Sequence, residues 1–151
     1  MAETLGSLCD KLTIVKLKQY HTQDSNRLKS LSIQERQLCE EIDGFIYSAI
    51  NGDICPEKLT FTSNKVYKLE GNEIDEISGT IGNIFSLLAS VNCQLWHEQE
   101  KVYDFENIHP NEKNTVVKQL AILNLQRNQC IDEIDKNFQQ IIIKLRNGYK
   151  K

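Results

Sequence analysis

The chain has 151 residues, of which 40% are hydrophobic and 26% charged, with a formal net charge of −3. That length and apolar content suit a single domain over residues 1–151 with a substantial core. The acidic balance gives no reason to expect a nucleic-acid partner, which would call for a basic excess. No apolar run is long enough to span a bilayer, and the opening Met-Ala-Glu-Thr-Leu-Gly-Ser lacks the basic-then-apolar layout of a signal peptide, so a cytoplasmic location is expected.

Cys9, Cys39, Cys55, Cys93 and Cys130 are odd in number, widely spaced and never arranged as Cys-x-x-Cys. This argues against a disulfide framework or zinc ribbon and predicts that most of them act as small core hydrophobes. The two prolines, Pro56 and Pro110, fall in loop-like surroundings and leave long stretches free to be helical.

In chain order, the first helix is predicted from about Thr4 to Lys29, on the spacing of Leu5, Leu8, Leu12 and Val15. Ser30-Leu31-Ser32 reads as a break, and Ser32 with Glu35 has capping-box spacing for a second helix running to about Ile50 with Leu38, Ile42, Phe45 and Ala49 on one face. Gly52 is its stop. Residues Asp53 to Asn72 read as a long connection, because an isolated strand at Leu59-Thr60-Phe61-Thr62 would have nothing to pair with. The third helix is predicted from Ile74 to Phe105 and the fourth from Asn111 to Arg146, with Asn147-Gly148 closing it. Long helices joined in this way pack as an all-α four-helix bundle.

Polar residues interrupt the apolar stripes. Alternating three- and four-residue steps on the fourth helix give Val117, Leu120, Asn124, Arg127, Ile131, Ile134, Phe138, Ile141 and Leu145, so Asn124 and Arg127 are expected to face inward. A buried guanidinium must be paired. The first helix supplies His21 and Asp24 within Ile14, Leu17, His21, Asp24, Leu28. The third supplies His97 and Glu100, three apart and preceded on that face by Ser86, Ser90 and Cys93. The two His-x-x-acid pairs, His21/Asp24 and His97/Glu100, could hold a divalent metal. Alternatively Asn124 and Arg127 orient an anionic or sugar-like small molecule while His21 or His97 handles a proton. In a third reading the same residues only fix helix register, in an adaptor or homo-oligomer that works through its surface.

Leu5-Gly6-Ser7-Leu8-Cys9-Asp10-Lys11-Leu12-Thr13-Ile14 resembles the opening Gly-Glu-Leu-x-Asp-Lys-Leu-Thr-Ile helix of uncharacterised bacterial proteins, some encoded near glycosyltransferases. Tyr20-His21-x-x-Asp24, Trp96-His97 and Asn124-x-x-Arg127 with Ile131-Asp132 resemble motifs of a related domain of unknown function, the DUF4254-like group. The chain departs from that pattern at Gln99, where the group tends to carry a carboxylate. The resemblance implies a helical bacterial protein linked to surface-polysaccharide synthesis and brings no activity with it.

Overall fold

The computed structural model describes residues 3–61 and 75–148, which form four helices: α1 (Leu5–His21), α2 (Ser25–Asn51), α3 (Ile81–Tyr103) and α4 (Pro110–Gly148). The all-α bundle expected from the periodicity is the observed fold. Short 3-10 turns, Pro56–Lys58 and Phe105–Asn107, lie in the second and third connections.

The first turn falls earlier than the Ser30–Ser32 break expected from the sequence. Thr22 and Asp24 are extended, and Asp24 Oδ1 accepts the backbone N–H groups of Asn26 at 2.9 Å and Arg27 at 3.1 Å, making it the N-cap of α2. A carboxylate is among the best N-caps, whereas Ser30 and Ser32 sit exposed inside α2, where a helical serine costs little. Glu35 does not complete a capping box. It crosses to α1 and accepts from Lys16 at 3.0 Å and Gln19 at 2.8 Å.

Gly52 closes α2 with φ +86, a left-handed conformation that favours glycine. Arg146 Nη2 then donates to Ala49 O in the last turn of α2 at 2.9 Å and to Ile54 O of the following connection at 3.1 Å, tying both to α4. Thr80 caps α3, so that helix starts at Ile81 and not at the expected Ile74, which lies outside the described residues. Proline at the first position of α4 suits a site whose N–H would be unpaired anyway.

Side-chain links fix the directions. Glu35 beside Lys16 and Gln19 runs α2 antiparallel to α1, and Asp10 to Arg127 with Gly6 to Asp135 runs α4 antiparallel to α1. The result is an up-down-up-down bundle. Its apolar core lies at the end holding Leu5, Ala49, Ile84, Leu88, Cys130, Ile134, Phe138 and Ile142. Leu59, 0% exposed, comes from the connection read as irregular and plugs this end, a burial worth about 2 kcal/mol. Phe45 of α2 meets Phe138 of α4 here, ring centroids 6.0 Å apart. Between α1 and α2 lies a cavity of about 410 Å³, walled by Lys11 and Lys18, by Gln34, Gln37 and Glu41, and by Arg127 of α4.

Two sequence expectations are corrected here. Cys130 is buried and Cys9 half-buried, but Cys39, Cys55 and Cys93 are exposed. The strict stripe on α4 fails at both ends: Val116, Leu123 and Ile142 are buried, while Val117, Asn124, Ile141 and Leu145 face solvent. Val117, Asn124 and Ile141 each stand one residue, about 100° round the helix, from the buried Val116, Leu123 and Ile142, so the face that packs on the other elements is not the one a strict heptad selects. No described helix is long and apolar enough to cross a membrane.

Candidate functional site

In α1, Gly6, Asp10 and Thr13 follow helical spacing on the side turned toward α3 and α4. Four positions answer them: Asn92 on α3, and Arg127, Ile131 and Asp135 on α4. The layer is polar and largely shut off from water, with Asp10 at 5%, Asn92 at 0% and Asp135 at 1% exposure. Arg127 forks onto Asp10, donating from Nε to Oδ1 at 2.8 Å and from Nη2 to Oδ2 at 2.6 Å. Asn92 Nδ2 donates to Asp10 Oδ1 at 3.0 Å and to Thr13 Oγ1 at 2.6 Å. The hydrogen bond to Asp10 raises the Arg127 pKa further, so the guanidinium is charged throughout the accessible range.

Below this pair, Asp135 Oδ1 accepts the Gly6 N–H at 2.7 Å. That N–H is one of the first-turn donors that a helix cannot satisfy internally, so α4 supplies a cap to α1 and sets a negative charge at its N-terminus. Thr4 completes the end by accepting from Ser7 N at 3.2 Å. Burial pushes Asp135 up to about 6, with a further push from Asp132, against the Gly6 N–H and the Thr4 hydroxyl, which favour the ionised form. Its Oδ2 has no hydrogen-bond partner among the described residues.

A carboxyl whose folded pKa lies above its unfolded value holds its proton more tightly in the folded state. Asp135 therefore lowers stability progressively as pH climbs from about 4 to about 6, and the full cost persists above that. In Asp135→Asn, which keeps the acceptor for Gly6, this loss should disappear. Denaturant melts at pH 4 and pH 8 should move the stability difference in the variant's favour by about 2 kcal/mol.

The Asp10–Arg127 pair forms the floor of an open cleft of about 390 Å³ between α1 and α4, lined by Thr4, Ser7, Asn128, Ile131 and Phe61. Among the described residues Arg127 Nη1 makes no hydrogen bond, and the side chain is 32% exposed. The cleft thus offers one guanidinium N–H pair and the Asn128 amide over a charge that Asp10 already balances. The Thr4 and Ser7 hydroxyls in its wall are engaged in capping α1, and Ser7 also donates to Glu3 at 2.6 Å.

The six residues singled out by the sequence separate into different places. Arg127 lies in the buried layer. Asn124, expected beside it, is exposed and its amide donates back to Leu120 O at 3.0 Å. Asp24 is spent on the α2 cap. His21, His97 and Glu100 gather instead at the far end of α1. The His21 ring stacks on Trp96 at 4.8 Å with 11° between planes, His97 meets it edge-on at 6.2 Å, and Glu100 accepts from Trp96 Nε1 at 2.9 Å and lies 3.7 Å from His97 Nδ1.

Ser86, Ser90, Cys93, His97 and Glu100 all stand on a face of α3 open to solvent. Among the described residues no three His, Cys, Asp or Glu side chains converge on a metal-binding group, and His21, Asp24, His97 and Glu100 do not form one.

Asp10, Asn92 and Asp135 are the residues missed by the sequence reading. The signal for them was a second stripe, Gly6-x-x-x-Asp10-x-x-Thr13, running beside the apolar one. Searches of the chain against family models, curated proteins and solved structures return no match.

Proposed function

We propose that this protein binds a small hydroxyl-rich, sugar-like molecule in the cleft beside Asp10 and Arg127. One observation carries the reading: a half-buried arginine, already neutralised by a forked carboxylate, is presented at the floor of a cleft rimmed by Thr4, Ser7 and Asn128. A free anion there would have to compete with Asp10 for the guanidinium. A hydroxyl needs only single donors and acceptors, which Arg127 Nη1 and the Asn128 amide supply without an uncompensated charge. The resemblance to bacterial proteins encoded near glycosyltransferases agrees with such a ligand, and a link to surface-polysaccharide synthesis is part of the proposal.

The test is a titration of isotope-labelled protein with millimolar glucose, following the side-chain amide of Asn128 and the backbone amide of Ser7. Both should shift on binding, and Asn128→Leu, which fills the cleft without touching the ion pair, should weaken the interaction at least tenfold with an unchanged melting temperature. If neither amide moves for glucose, the cleft reading fails. The polar layer then serves helix register alone, as an adaptor or homo-oligomer would use it.

A further inference from the structure

Three cavities along α1 share walls. Arg127 lines both the cleft at Asp10 and the cavity between α1 and α2, and Lys18 and Gln34 line both that cavity and a third of about 450 Å³. The third lies where the end of α1, the start of α2 and α3 meet, and is bounded by Lys18, His21, Arg27, Ser30, Gln34 and Trp96. The three cavities therefore follow one another along α1 through shared walls, and together they form a groove. From the level of Asp10 to that of His21 it runs eleven residues along the helix, about 16 Å, which is longer than a single sugar ring.

Charge changes along it. At the Asp10 end the one cation is neutralised by its carboxylate. At the other end Lys18 and Arg27 have no ion-pair partner among the described residues, and no carboxylate lines the cavity. Thr22, Ser30 and Gln34 line the same cavity, together with the half-buried Trp96, whose indole stacks on His21 and donates to Glu100.

We infer that the groove holds an elongated, hydroxyl-rich ligand that carries a phosphate group toward one end, its neutral sugar end over Asp10 and Arg127 and its phosphate against Lys18 and Arg27 beside Trp96. This rests on the cleft reading above and extends it by assigning the length and the anionic end. Two cations around one phosphate supply charge-assisted hydrogen bonds, while aromatic and amide surfaces suit the sugar or base next to it. A nucleotide-activated sugar and a phosphorylated oligosaccharide share this chemistry.

The chain has one tryptophan, so its fluorescence reports on the far end of the groove alone, while the Asn128 amide reports on the near end. UDP-glucose and maltose 1-phosphate, the two probes, should each be compared with glucose. The expected result is that at least one phosphorylated probe changes Trp96 fluorescence and Asn128 together, binds at least tenfold more tightly than glucose, and loses that gain in the Lys18→Ala/Arg27→Ala variant, which still responds to glucose at Asn128. Which probe does so identifies the source.

If glucose moves Asn128 but neither phosphorylated probe reaches Trp96, or if the double variant binds them as the parent does, the extension is overturned and the cleft reading stands. A response at Trp96 with Asn128 silent to every probe overturns both, because the groove then has no sugar end.

Discussion

Arg127→Ala should destabilise the bundle by about 3–5 kcal/mol, and Asp10→Ala should cost distinctly less. The asymmetry follows from where each survivor is left. Without Arg127, Asp10 remains a carboxylate with a 7% exposed side chain, held by Asn92 alone. Without Asp10, Arg127 has a 32% exposed side chain that can turn its guanidinium to water, and Asn92 keeps its bond to Thr13 at 2.6 Å. The double variant Asp10→Ala/Arg127→Ala should recover part of the loss of Arg127→Ala, because no charge is then stranded. Denaturant melts of the three variants decide it. Equal losses in both single variants would mean that the pair is solvated in solution and that the layer is not a closed one.

Gly6→Ala should cost about 3 kcal/mol, reversing the usual sign of a glycine-to-alanine change in a helix, which is a gain of about 0.5–1 kcal/mol. A Cβ at Gly6 would sit 2.5 Å from Ile131 O and 2.9 Å from Asp135 Oδ1. The first of these is backbone inside α4 and cannot swing aside, so α1 would have to lift away and loosen the Gly6 to Asp135 bond with it. Gly44 is the control. It lies in α2, where an added Cβ would meet nothing within 4 Å, so Gly44→Ala should show the ordinary gain. Opposite signs at the two glycines, read from melting temperatures of the two variants, would establish that close approach of α1 to α4 is the reason glycine stands at position 6.

Much of the architecture was legible from local pattern: the helical class, the four long helices, the stop at Gly52, the extent of α4 to within two residues at either end and the inward place of Arg127. These depend on apolar periodicity, the left-handed freedom of glycine and the exclusion of proline from helix interiors, all quantities carried by neighbouring residues. Packing between helices settled the rest. Asp24 ends a helix pair by capping, a role in which it leaves the polar centre, and Asn124 turns outward while Asp10, Asn92 and Asp135 turn in.

A fixed heptad reading assigns one face to the whole of α4, whereas the buried face is set by the helices and the turn it packs against, which bury Ile142 and leave Ile141 in solvent. Periodicity cannot rank polar residues by burial. Asp10 and Asp24 look alike in the sequence, and only the approach of Arg127 at 2.6 Å makes one of them the floor of a cleft while the other caps a helix in the open. The grouping of His21 with Trp96 and His97, far along α1 from Asp10, was likewise set by how α3 lies beside α1, a relation between helices that no single helix's pattern contains.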